Sequence, residues 1–307
     1  TLSVSTLQVG NFPAVYTLEQ NTLGTTSEKS TLIDWGETAL FTDQFYAELD
    51  APPDRTQTYT FGPSTPNRWV LGASGTNTLL YSSNGTQWVG LGATVFSLQT
   101  NAVLWDGEKW IAVGEGAGNT VAFSVDGIHW TGLGTTPFGT RSYSIAFQKE
   151  GRTLLYLAMG QGTSTVMYSA DGLTWTAVAS SPFSVAGRGV AWNGQTWLAV
   201  GEGGNTLATS ADGLTWTGLG TGIFSLRGLS VAWNGSIWVA TGQGGNTLAY
   251  SLNGGATWTG LGTGIFGTAG NAVAWNGVVW VAVGEGVGTN TLAYSYDGIA
   301  WTGLGTT

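Results

Sequence analysis

From about residue 56 to its end the chain is one unit repeated, and the anchor of the repeat is a tryptophan. It stands at Trp88, Trp130, Trp175, Trp216, Trp258 and Trp301, at intervals of 42, 45, 41, 42 and 43 residues. Each copy closes a segment of the form Ser-x-Asp/Asn-Gly-x-x-Trp, one residue longer before Trp258. A second signal precedes it, as in the run Val190 to Gly201, with aromatic counterparts at Trp105/Trp110, Phe147/Tyr156, Trp233/Trp238 and Trp275/Trp280. The first unit keeps only Trp69. A period of this size marks an array of like supersecondary units, each burying its apolar face on the next.

Each unit parses into four short β segments. In the fifth they are Leu229 to Trp233, Ile237 to Thr241, Thr247 to Ser251 and Thr257 to Leu261. Apolar, aromatic and β-branched residues fill the segments, Asn-Gly, Asp-Gly and Gly-Gly pairs supply the hairpin turns, and no stretch has helical periodicity. Four antiparallel strands per unit, over about 56–92, 100–134, 141–179, 187–220, 229–262 and 271–305, predict an all-β, six-bladed β-propeller. A two-sheet sandwich does not explain the period.

Composition narrows the partners. Charged residues make up only 9% of the 307, against about 25% in ordinary domains. Nine basic against eighteen acidic residues leave a net charge of −9, which argues against nucleic acid, whose phosphates need Lys and Arg. There is no Cys and a single His, His129, so disulfides and multi-His or thiolate metal sites are excluded; no metal and no cofactor is expected. His129 is expected to pack at a hairpin edge. No run reaches the roughly 18 apolar residues of a membrane span, and Thr1 opens no signal-peptide pattern.

The tryptophan-terminated segment resembles the Asp-box, or BNR, repeat of sialidase-like propellers. Ser251-Leu252-Asn253-Gly254-Gly255-Ala256-Thr257-Trp258 fits that pattern with Asn in place of Asp; the other copies are a residue shorter in the turn. Asn84, Asp126, Asp171, Asp212, Asn253 and Asp297, with the six tryptophans, are accordingly expected to be structural, the carboxylate or amide accepting from turn amides. The longer run from the aromatic pair to the box resembles repeats in proteins of large DNA viruses of algae and protists. That resemblance implies a virion-surface or capsid-associated protein.

Residues 1–55 lie outside the repeat, with Ala51-Pro52-Pro53-Asp54 as the expected boundary. Either they form an extended arm that anchors the propeller to a larger assembly, or Leu32 to Leu49 contributes to a divergent seventh blade. The arm is preferred, because the six units each read as holding four strands, with Phe61 to Trp88 completing the first.

Chemistry is expected on one rim, where in a propeller the loop after the second strand and the loop entering the next blade share a face. The first carries Glu115, Gln161, Glu202, Gln243 and Glu285 at equivalent positions; the second carries Gln99, Arg141 and Arg227, with Arg188 two residues further on in its own blade. Such a set suits sugar hydroxyls or acidic sugars. It equally suits bracing of the loop backbone, the preferred reading for the Glu/Gln ring. Arg141, Arg188 and Arg227 have the composition of a sialidase's carboxylate grip, but Tyr143 and Tyr168, the nearest tyrosines, sit where strand packing explains them. The Glu residues alternate with Gln, which disfavours a glycosidase pair. Phe96, Phe138, Phe183, Phe224 and Phe266, recurring in the blade-connecting loop, are either buried pins or exposed anchors. The expectation is a non-catalytic recognition and assembly module contacting a host glycan or neighbouring capsid protein. The alternatives are a lectin-like or glycosidase-like cellular propeller and a purely structural subunit.

Overall fold

The structure is a computed structural model that describes residues 68–306, except 117, 137, 151–152 and 287–289, together with strands at 2–3, 15–20 and 57–60. The chain divides into two compact units, Thr1–Pro66 and Asn67–Thr307. In the first, β1 (Leu2–Ser3), β2 (Val15–Gln20) and β3 (Gln57–Thr60) form an antiparallel sheet in which Leu2 faces Gln20 and Val15 faces Thr60. The division falls at Pro66, downstream of residue 55, because β3 pairs with β2. Leu32 to Leu49, the segment considered for a seventh blade, lies outside the described residues.

The second unit is a succession of antiparallel meanders. The first holds β4 (Trp69–Gly72), β5 (Leu79–Ser82) and β6 (Val89–Gly90). The second holds β7 (Gln99–Trp105), β8 (Trp110–Glu115), β9 (Val121–Ser124) and β10 (Thr131–Gly132). The third comprises β11 (Gly139–Glu150), β12 (Thr153–Gly162), β13 (Val166–Ser169) and β14 (Thr176–Ala177). In the fourth are β15 (Ala186–Trp192), β16 (Trp197–Glu202), β17 (Leu207–Ser210) and β18 (Thr217–Gly218). The fifth consists of β19 (Arg227–Trp233), β20 (Trp238–Gln243), β21 (Leu248–Ser251) and β22 (Thr259–Gly260). The sixth consists of β23 (Ala269–Trp275), β24 (Trp280–Glu285), β25 (Leu292–Ser295) and β26 (Thr302–Gly303). Three strands are described in the first meander; residues 61–67, in the Phe61 to Trp88 segment expected to complete it, lie outside the described residues.

Side-chain alternation along each second strand gives a meander two apolar faces. In the fourth, Leu198, Val200 and Leu207 point one way, Trp197, Ala199 and Ala208 the other, and each set enters a different core cluster. Five joints follow one plan. At the fourth-to-fifth joint the branched face, Leu198, Val200 and Leu207, packs on the tryptophan face, Trp238, Ala240 and Ala249, with the linker Phe224 between them. The same arrangement recurs around Phe96, Phe138, Phe183 and Phe266, so all five linker phenylalanines are buried pins. Glycine is needed where the pin lands: a Cβ at Gly242 would come within 2.5 Å of Phe224 Cδ1. Trp130, Trp175, Trp216, Trp258 and Trp301 pack against these clusters, whereas Trp88 of the first meander is 39% exposed.

The turn before each tryptophan is held by its own polar side chains. Asp212 Oδ1 accepts the Leu214 and Thr215 amides at 2.8 and 2.7 Å, Ser210 Oγ accepts the Gly213 amide at 2.8 Å, and Trp216 Nε1 donates to the Gly213 carbonyl at 2.9 Å. Asn84, Asp126, Asp171 and Asp297 repeat the two amide bonds. In the longer copy Asn253 accepts the Thr257 amide at 2.9 Å. Gly213 has φ +74°, and a Cβ there would meet Leu155 Cδ2 of the preceding meander at 2.8 Å, so Gly answers both the turn and the joint. His129 does not pack: its side chain is exposed, and Nδ1 lies 2.6 Å from Asp126 Oδ2.

Candidate functional site

The loop after each second strand and the loop entering the next meander meet at the same end of the strands. Register settles this. Arg141 pairs across the ladder with Gln161 of its own meander and with Glu115 of the preceding one; Arg227 pairs likewise with Gln243 and Glu202. Gln99 faces Glu115, Ala186 faces Glu202 and Ala269 faces both Glu285 and Gln243. The two sequence-derived groups therefore share one rim.

Their side chains engage one another. Arg141 Nε lies 3.0 Å from Glu115 Oε2, Arg188 Nη2 donates to Glu202 Oε2 at 2.9 Å, and Arg227 Nε donates to Gln243 Oε1 at 2.8 Å. The three guanidiniums thus take three different acceptors and do not assemble a common carboxylate grip. Tyr143 joins the group, a role that strand packing did not anticipate. Its hydroxyl donates to Gln161 Oε1 at 3.0 Å, the Arg188 guanidinium carbon stands 4.2 Å from its ring centroid, and that of Arg141 stands 5.8 Å away. Stacking at 4.2 Å is a cation–π contact. Tyr168, by contrast, packs against a core cluster as expected.

The result is a continuous band Glu115, Arg141, Tyr143, Gln161, Arg188, Glu202 across the second to fourth meanders. It is half-buried, its carboxylates are neutralised by the arginines, and exposed apolar side chains, Leu98, Val185 and Leu226, rise beside it in the entering loops. The loop backbone is braced by other residues. Asn205 donates from Nδ2 to the Pro182 carbonyl and accepts the Gly220 amide at Oδ1, and Asn246 acts the same way on Ile223 and Gly262. Asparagines thus brace this loop backbone, while Glu115, Gln161, Glu202 and Gln243 each contact another side chain.

At the opposite end of the strands a second group breaks the repeat. Where other units carry Asn193, Asn234 or Asn276 in the first hairpin turn, the second meander has Asp106, and where others carry tryptophan the third has Tyr156. The Tyr156 hydroxyl donates to Asp106 Oδ2 at 2.6 Å, and Lys109 Nζ lies 2.9 Å from the same oxygen. Burial and the bond to Asp106 push the Tyr156 hydroxyl pKa up. Burial works against ionisation of Asp106, but the bonds from Lys109, Tyr156 and the turn amides outweigh it and hold its pKa down. At the Tyr156 position Trp197, Trp238 and Trp280 bury indole N–H groups without a partner. The aspartate-for-asparagine change in the repeat was the readable signal for this cluster. On the fourth meander a shallow groove of about 360 Å³ is lined by Thr196, Thr209, Ser210, Ala211, Asp212, Thr215 and Thr217. Among the described residues no group of three or more His, Asp or Glu is placed to hold a metal ion, and no helix is long and apolar enough to cross a membrane.

No family model matches the chain, and no curated protein matches it. Among solved structures it is similar to a Niastella koreensis GH74 enzyme, with 21% identity and a TM-score of 0.49 over 74% of this chain and 34% of that one. It is also similar to the computationally designed Ika8 protein, with 15% identity and a TM-score of 0.47 over 73% and 66% of the two chains. The chain thus spans about a third of the length of the GH74 enzyme.

Proposed function

We propose that the six meanders are propeller-type blades stacked in an array that stays open between the first and the sixth, and that the chain is a non-catalytic recognition module whose ligand surface is the rim band from Glu115 to Glu202. Supporting the blade reading are the four-strand antiparallel order, a long first strand and a two-residue fourth strand in each complete unit, and the linkage of successive units at one end. The observation that carries the binding reading is the Tyr143 ring held under Arg188, with Gln161 and Glu202 fixed beside it. Tyr143 and Arg188 occupy the bulge position of successive first strands, where the other meanders carry Asn101, Leu229 and Asn271, so the repeat keeps the position but not the aromatic–guanidinium pair. A neutralised, hydrogen-bonding surface with an aromatic face fits uncharged sugar hydroxyls better than an anion, because each guanidinium already holds an acceptor.

Catalysis by paired carboxylates is disfavoured by the same geometry, since Glu115 and Glu202 each face an arginine and the box aspartates sit at the other end of the strands. We place the module on a virion surface or against a capsid, contacting host glycans or neighbouring capsid proteins. The resemblance of its repeats supports this, as does a thiol-free, lysine-poor composition suited to a protease-exposed setting.

Glycan-array screening followed by titration tests the reading. Tyr143→Ala and Arg188→Ala are each expected to weaken binding about tenfold or more, consistent with loss of a desolvated cation–π platform. The Arg188–Glu202 pair is only partly buried, so Arg188→Ala should lower the melting temperature little. Absence of binding to any neutral or acidic glycan, or binding indifferent to both substitutions, rejects the rim as the site.

A further inference from the structure

Among the described residues the five joints leave one face of each kind without a neighbouring meander. On the sixth meander the branched face is built like its predecessors, with Val281, Val283 and Leu292 where the fourth has Leu198, Val200 and Leu207. Yet Val281 is 37% and Val283 41% exposed, whereas Leu198 and Val200 are fully buried. On the first meander the tryptophan face is bare: Trp69 is 59% and Leu71 46% exposed, against 0% for Trp197 and Ala199. Bare apolar faces at both ends of an array of like units are the condition that terminal capping normally relieves.

The first meander's face differs from the internal ones in a consistent way. Internal tryptophan faces carry cross-strand pairs of small residues, Ala112 with Ala122, Ala199 with Ala208, Ala240 with Ala249 and Ala282 with Ala293, or Ala158 with Met167. The first carries Leu71 with Leu80. Where internal second strands have the glycine that receives the linker phenylalanine, Gly114, Gly160, Gly201, Gly242 and Gly284, the first has Ala73. An internal joint fills the space above its alanines with the phenylalanine of the connecting loop. A joint between separate chains has no connecting loop, and Leu71 and Leu80 supply the missing volume.

We propose that the Val281/Val283 face of one copy docks on the Trp69/Leu71 face of a second copy, continuing the meander-on-meander stacking head to tail. The contact is heterologous, so copies join in a ring if the rotation closes and in an open chain if it does not.

Sedimentation velocity on the full chain over a concentration series tests this. Wild type is expected to rise above the mass of one chain. Leu71→Asp and Val283→Asp, each placing a charge in one half of the joint, should remain at one-chain mass alone. Their equimolar mixture should form a two-chain species and stop there, because each variant retains the half that the other lacks; that recovery also shows that both are folded. A wild type that stays at one-chain mass at every concentration overturns the proposal, with the end faces then covered from within the chain or left bare. So does association of either variant alone, or a mixture of folded variants that does not pair. Hydrogen exchange on wild type needs no substitution: β4 and β24 should gain protection with concentration while β16 does not, and unchanged protection at both ends is likewise contrary.

Discussion

At the residue scale, the box aspartates show how a repeated side chain becomes a titratable part of the scaffold. The amide bonds of Thr174 and Leu173 hold the Asp171 carboxyl at a pKa of about 2, against an ordinary value of 3.8, and those of Thr215 and Leu214 do the same for Asp212. Asp297 is lowered by its turn amides; at Asp126 burial opposes ionisation, and the His129 side-chain bond with the turn amides overcomes it. A folded-state pKa below the unfolded one means stability that is complete above about pH 4 and lost as pH falls toward about 2. Equilibrium unfolding followed by fluorescence should therefore show loss of stability across that window, shared among these turns. Asp212→Ala removes a charged acceptor of two amides and is expected to cost about 1–3 kcal/mol in denaturant unfolding, with the pH response reduced in proportion.

At the scale of the element, the joint between consecutive meanders is the unit of stability. Phe224 is fully buried between the fourth and fifth meanders, so Phe224→Ala should cost about 3–5 kcal/mol by urea unfolding, because Gly242 has no side chain and the Ala240 methyl is too short to refill the space. The second-to-third joint carries a polar device that the others lack. Tyr156→Phe would leave Asp106 and Lys109 without the hydroxyl at a buried position, and an expected loss of about 1–3 kcal/mol distinguishes it from a neutral change. These joints were half legible in the sequence. The spacing of Phe96, Phe138, Phe183, Phe224 and Phe266 placed a phenylalanine in every linker, but periodicity alone does not say whether a ring points into a joint or into solvent. Tyr143 was misassigned for a related reason: strand alternation gives a face, and which charged side chains share that face depends on the twist and register of the neighbouring meander.

For the whole molecule, an array held by nearest-neighbour joints is expected to open from its ends. Amide exchange at low protein concentration should be faster in β23 to β26 and β4 to β6 than in β15 to β22, where both faces are covered. The exposed Val281, Val283, Trp69 and Leu71 are the structural reason.

The sequence by itself determined the all-β character, the repeat and its hairpins, and the grouping of Glu115, Gln161, Glu202, Gln243, Arg141 and Arg227 at one end of the strands. These follow from local rules, period-two alternation and turn chemistry, that act within a few tens of residues. Only the tertiary structure decided which acceptor each arginine takes, that Tyr143 lies beneath Arg188, that Asp106 reaches Tyr156 of the next meander, and that the first and last faces stand uncovered. Those outcomes depend on contacts between units, where distances of a few ångströms are set by packing and leave no periodic trace in the chain.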